Sequence, residues 1–154
     1  MMPNKFKMLV VVLGFVLLSG CAGKHLIVAD DNTLALAGCS PLPNCVSSTT
    51  VIFYNRTQPF ELAMPAAEAW PKIKEVVARM PRTEIVEHND VYLHAQCKSR
   101  VFRFVDNLEL LLQPDKQNIS VRSSSAIAIF DFGVNRWRIH ELRKTLKELK
   151  IIKP

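Results

Sequence analysis

The chain has 154 residues and a formal net charge of +6, a length that gives one domain enough core to fold. It contains no internal repeat and no low-complexity stretch, which excludes solenoid and array architectures. Its aromatic residues are not interleaved with the basic ones, which argues against a nucleic-acid partner.

The N-terminus opens with Lys5 and Lys7 and no acid nearby, followed by an apolar run over residues 8–18. Eleven residues are too few to span a bilayer, which takes about 20, but they suit a secretory signal. The run ends in "LSGC", residues 18–21, which resembles the bacterial lipobox. In that class the cysteine thiol receives a diacylglycerol, the signal is cut before it, and the new N-terminus is acylated. The resemblance implies residues 1–20 as signal peptide and Cys21 as the lipidation site. Several acyl chains anchor firmly where one holds only marginally. Ala22 stands where that class uses Asp for inner-membrane retention, so the expected destination is the outer membrane, facing the periplasm. Loss of Lys5 and Lys7 takes the charge from +6 to +4. That balance suits phospholipid or cell-wall polymer, although surplus lysine is commonplace. Residues 21–37 read as a tether, with more apolar character than most linkers carry, and residues 38–154 as one α+β domain.

Cys39 and Cys45 bracket Pro41 and Pro43. In an oxidising compartment a disulfide is the expected reading, and closing so short a loop contributes roughly 2.4 kcal/mol in the chain-entropy model. A zinc site would want about two to four residues between thiols and two further ligands, whereas His25, His88, His94 and His140 are scattered. A nucleophilic Cys45 would need a base nearby, and none is local. No metal and no cofactor is expected. Cys97 reads as a buried, inert thiol.

From Met64 the pattern is helical. Trp70, Ile73, Val77 and Met80 share a face, Pro65 can open the helix, and Pro71 falls in the first turn or kinks it. Residues 83–88, "TEIVEH", read as a strand, Asn89 and Asp90 as a turn, and residues 91–97 as a strand with Val91, Leu93, Ala95 and Cys97 on one side. The next two strands can be registered. A loop at residues 114–117 places Leu112 opposite Ile119, Leu110 opposite Val121, Phe104 opposite Ile127 and Phe102 opposite Ile129. The other face then pairs Glu109 with Arg122 and Asn107 with Ser124. A loop one residue longer would put Arg122 among leucines, so the four-residue loop is preferred. Arg122 is thereby expected in a cross-strand ion pair. Asp106 falls on the apolar face, either as a satisfied structural acid or as a working group in a pocket. The last helix starts after Asp131, a plausible N-cap. Ile139, Leu142, Leu146 and Leu149 form its expected buried stripe, beside a basic rim of Arg136, His140, Arg143, Lys147 and Lys150. Glu141 and Glu148 interrupt the opposite flank. The fold class is α+β: an antiparallel sheet of about four strands, a helix before it, and a long C-terminal helix packed on one face.

Three separated blocks carry a family resemblance. "SPLPNCVSS" is similar to the proline-bracketed "PNCVSS" block of the family called domain of unknown function 1499. "SRVFRFVDNLELLL" with "ISVRSSS", then "DFGVNRWRIHELRKTL", resemble its second half in the same order. The resemblance covers residues 38–149. It implies that Cys39 and Cys45 are both family positions, which favours their pairing. It marks Asn44, Ser47, Ser48, Arg100, Arg103, Asp106, Arg122, Ser123, Asp131, Asn135 and Arg136 as shared polar positions. Asn107 stands where a second acid is usual, which weakens any paired-carboxylate chemistry with Asp106. Ile127 and Phe130 replace more polar residues.

No Gly-rich phosphate loop and no G-x-S-x-G elbow is present. The function expected is that of an envelope lipoprotein with a non-catalytic binding module. Arg100, Arg103, Asp106, Arg122, Asp131, Asn135 and Arg136 are the candidate ligand-binding residues. The partner would be anionic lipid, cell-wall polymer or an envelope protein, but not nucleic acid. The alternative is a periplasmic ligand-binding protein or hydrolase with a polar site around Asp106, Arg122 and Asn135.

Overall fold

In the computed structural model, which describes residues 26–29, 33–100, 104–126 and 131–154, the alternating segments pair as their patterns require. Strand β5 (Thr83–His88) runs antiparallel to β6 (Tyr92–Lys98), β6 to β7 (Val105–Gln113), and β7 to β8 (Asn118–Ser125). The β7–β8 register joins Leu112 to Ile119, Leu110 to Val121, Glu109 to Arg122 and Asn107 to Ser124. The intervening loop is residues 114–117, a 3₁₀ turn closed by Gln117 in the left-handed region. Of the expected pairs, Phe104 with Ile127 and Phe102 with Ile129 lie outside the described residues. The turn after β5 is built by Asn89, whose Oδ1 accepts from the amides of Val91 and Tyr92, a short side chain doing the work of a backbone turn.

Among the described residues the sheet has six strands, more than the four that alternation reveals. Two short strands complete it: β3 (Cys45–Ser47) and β4 (Phe60–Glu61) both pair with β8. Strands of three and two residues are too short to establish a period. The order is β3-β8-β7-β6-β5, with β4 also on β8. A separate hairpin, β1 (Leu26–Val28) with β2 (Leu34–Leu36), lies within the stretch read as a tether. Its Leu36 packs with Tyr92 and Leu111 on the face of the sheet away from the helices.

Helix α1 (Ala66–Ala78) follows Pro65. Pro71 falls beyond the first turn, on the exposed side of the helix, and removes the amide that would have bonded the Ala67 carbonyl. Ala69, Trp70, Ile73 and Val77 enter the core, and the Trp70 indole N–H donates to the Asn89 carbonyl at 3.0 Å.

Helix α2 (Val134–Glu148) packs on β8 and β3. Asp131 caps it from three residues ahead: Oδ1 accepts from the Gly133 amide and Oδ2 from the Asn135 amide, both at 2.9 Å. Its C-terminus is a Schellman turn. The Lys150 amide donates to Lys147 and the Ile151 amide to Leu146, both at 2.9 Å, with Lys150 at φ 56°. This turn corrects the expected stripe. Ile139, Leu142 and Leu146 are buried, but the helix stops before Leu149, which turns outward and is 54% exposed. Ile151 and Ile152 enter the core in its place.

Candidate functional site

The residues singled out in the sequence divide between the two faces of the sheet. On the helix side, Arg138 organises a buried cluster. Its Nη2 donates to Asp106 Oδ2 at 2.6 Å, and its Nη1 to Ser123 Oγ at 2.8 Å and Asn135 Oδ1 at 2.7 Å. The Ser123 hydroxyl donates to Asn135 Oδ1 at 2.6 Å. The Asn135 amide nitrogen donates to the Asn44 carbonyl at 3.1 Å and Ser125 Oγ at 3.0 Å. Asp106 is thus a satisfied acid on the apolar face. Its partner Arg138 escaped the sequence reading. The signal was present: buried Asn135, Arg138, Ile139, Leu142 and Leu146 recur at helical spacing, and Arg138 sits on that stripe.

On the opposite face, Arg122 Nη1 donates to Glu109 Oε2 at 2.9 Å and to Ser124 Oγ at 2.8 Å. This is the cross-strand ion pair that the register implied. The Tyr92 hydroxyl donates to Glu109 Oε1 at 2.7 Å. Burial, reinforced by the Glu109 carboxylate, holds the phenol far above its ordinary range. Burial draws the Arg122 guanidinium below its usual value, against the pull of Glu109. Among the described residues Arg122 Nε and Asn118 Oδ1 are buried without a partner. Alongside, His94 Nε2 lies 2.9 Å from Asn107 Oδ1. A site uniting Asp106, Arg122 and Asn135 does not form, because successive side chains of a strand point to opposite faces and Arg122 lies on the far side of the sheet from the other two.

Asp131 is used as a helix cap. Arg136 is exposed, and its guanidinium donates to the carbonyls of Arg56 at 3.1 Å and Tyr54. Arg143 similarly donates to the carbonyls of Pro59 and Gln58 and lies over the Phe60 ring, 4.6 Å from its centroid. The expected basic rim is therefore in part a clamp that ties residues 54–59 to α2. Arg103 lies outside the described residues, as does Cys21. Cys39 and Cys45 are joined in a disulfide with their Cα atoms 5.6 Å apart.

Arg100 leads to a feature that no motif announced. A cleft of about 540 Å³ runs along α2, between that helix, the end of α1, and the β5–β6 edge. Val76, Met80, Cys97 and Leu142 line its apolar floor, and the half-exposed Trp137 and Leu149 stand along the α2 wall. Arg82, Lys98 and Arg100 stand at its opposite edge. Among the described residues none of these three forms an ion pair, whereas the neighbouring Arg79 is held by Glu75. Among the described residues the one acid that lines the cleft is Glu141. Burial raises the pKa of the Cys97 thiol, and the nearby Arg138 charge offsets this only in part. The cleft has the size and lining of a ligand pocket, which is commonly about 300–1,000 Å³ and mostly apolar with few polar groups. The sequence hid it because it forms where Leu149 leaves the helix and α1 ends, far apart in the chain.

Neither a curated protein nor a solved structure shows a significant match to this chain. The profile of one family spans residues 35–146, from β2 through most of α2, and so covers both buried ion pairs and the disulfide. The chain belongs to the family described as protein of unknown function, DUF1499.

Proposed function

We propose that this DUF1499 chain is a bacterial envelope lipoprotein, held to the membrane through an acylated Cys21, whose domain binds an anionic amphiphile in the cleft along α2 without transforming it. The observation that carries the reading is an apolar floor beside Arg82, Lys98 and Arg100, none of which forms an ion pair among the described residues. An acyl chain on that floor gains about 0.8 kcal/mol per buried methylene, and a phosphate or carboxylate at the edge meets charge-assisted donors. Among the partners expected from the sequence, this favours anionic lipid over cell-wall polymer or an envelope protein. The engagement of Asp106 by Arg138 supports a binding role over a hydrolytic one.

Titration of the purified chain with a lysophosphatidylglycerol, followed by calorimetry, tests the cleft. Saturable binding is expected, weakened at least about tenfold by Arg82→Glu with Arg100→Glu, and blocked by Thr145→Trp, which fills the cleft from its exposed wall. Binding that survives all three substitutions, or no binding, would overturn the assignment. Mass spectrometry of the native product tests the anchor. Added diacylglyceryl and acyl mass on a chain that begins at Cys21 is expected, and an intact Met1 start would remove it.

A further inference from the structure

The disulfide loop and the first turn of α2 meet at one end of the molecule. Arg136 joins them through the carbonyls of Tyr54 and Arg56, and Asn135 joins them through the carbonyl of Asn44. Here Val51, Phe53 and Phe132 project into water, 94%, 84% and 98% exposed. Isolated exposed apolar residues are ordinary. Phe132 is held out at a backbone cost, and Val51 and Phe53 stand on a braced lobe.

The lobe that carries Val51 and Phe53 is cross-braced. Besides the Cys39–Cys45 bond, Asn55 Nδ2 donates to the carbonyls of Ser40 at 2.9 Å and Leu42 at 3.2 Å, and the Tyr54 hydroxyl to that of Pro41 at 2.7 Å. Such bracing fixes side chains before any partner arrives, which lowers the entropic cost of association. Phe132 has φ 52°, a region that bulky residues seldom occupy. Gly133 beside it takes a similar conformation without strain. A strained, bulky, fully exposed phenylalanine is not a folding solution.

Basic side chains outnumber acidic ones in these segments. Residues 33–60 contain no Asp or Glu, the Arg136 guanidinium lies on the Tyr54 and Arg56 carbonyls, and Asp131, beside Phe132 in the chain, directs both carboxylate oxygens to amides of α2. The β1–β2 hairpin touches this lobe. Leu26 pairs with Leu36, whose carbonyl accepts from Thr49 Oγ1 at 2.9 Å. Four residues separate Cys21 from β1, a reach of roughly 17 Å when extended.

We infer that this end docks on an anionic phospholipid bilayer. Val51, Phe53 and Phe132 seat among the upper acyl chains, with Arg56 and Arg136 at the phosphate level. Apolar side chains beside basic ones are the signature of interfacial binding, and a negative surface draws such cations. The proximity of the anchor rests on the lipidation proposed above; the exposed tips and their charge do not. Val134 and Trp137, in the first turn of α2, line the cleft, so docking holds that part of the cleft against the source of its proposed ligand.

The test places a reporter outside the cleft. In a Phe53→Trp, Trp137→Phe chain, Trp70 is buried and the tryptophan at position 53 reports from the lobe. The full chain is reconstituted in vesicles of phosphatidylcholine and phosphatidylglycerol whose acyl chains are brominated near the headgroup. At least twofold quenching of the position-53 emission is expected. It should be weaker in vesicles of phosphatidylcholine alone and lost when Val51→Ser and Phe132→Ser are added. Absent quenching, or quenching indifferent to those substitutions or to lipid charge, would overturn the inference. Lysolipid titration of the chain that keeps Trp137, which lines the cleft, reads the cleft separately, so docking and cleft binding fail independently. All the substituted positions are exposed, and unchanged circular dichroism confirms the fold.

Discussion

The two buried ion pairs, Asp106–Arg138 and Glu109–Arg122, lie on opposite faces of the same strands and differ in what places them. Glu109 and Arg122 face each other because β7 and β8 are in register, a local consequence of pleat and loop length. Asp106 and Arg138 meet because a helix 32 residues further along the chain docks on the sheet. The pairs also differ in their surroundings. Glu109 keeps the Tyr92 hydroxyl if Arg122 is removed, whereas Arg138 is the sole ionic partner of Asp106 among the described residues.

Substitution separates the two. Arg138→Met strands a buried carboxylate and should cost about 3–5 kcal/mol in urea unfolding. Arg122→Met should cost less, roughly 1–3 kcal/mol, because Tyr92 still donates to Glu109. Equal losses would break the distinction. The double variant Asp106→Leu, Arg138→Met sharpens it, since replacing both members of a buried pair with apolar groups is often neutral or stabilising. Recovery of most of the Arg138→Met loss is expected.

Alkaline titration reports on the Tyr92 face. The folded-state pKa of Tyr92 is raised, so above the ordinary value of 10.0 the unfolded chain releases the phenolic proton while the folded chain keeps it. Stability is therefore full below about pH 10 and falls as pH rises, by up to about 1.4 kcal/mol per unit. Cys97, raised from 9.0 on the helix face, starts a similar loss about one unit earlier. Tyr92→Phe should be less stable at pH 7, because Glu109 loses a donor, yet show a shallower decline above pH 10. An unchanged alkaline slope would remove Tyr92 from the linkage.

The smallest effects come from backbone strain. Lys150 and Phe132 both hold left-handed conformations, and glycine at either should add about 0.5–1 kcal/mol. The two should part in function: Phe132→Gly loses vesicle docking and Lys150→Gly keeps it. Thermal unfolding beside vesicle sedimentation distinguishes them.

How much of this was legible depended on the range over which each constraint acts. Register was readable because an error of one residue would bury Arg122 among leucines. The turn at Asn89 and the cap at Asp131 were readable because a single side chain makes each. Leu149 was misplaced because the stripe of α2 continues in sequence past the point where the Schellman turn ends the helix. Arg138 lay in plain sight on the stripe, but a basic residue there has no meaning until a carboxylate is seen beneath it.

The sequence alone determined the strands β5 to β8, the register of β7 with β8 and its cross-strand ion pair, and most of the apolar face of each helix, since side-chain period and charge act over a few residues. Tertiary structure decided the rest. It set which carboxylate Arg138 would meet, packed an N-terminal hairpin against the face of the sheet away from the helices, left a basic-edged cleft where two helices end, and brought a stapled loop against the start of α2. Such features depend on how elements stack in space, and no periodicity in the chain encodes the distance between surfaces that meet only after folding.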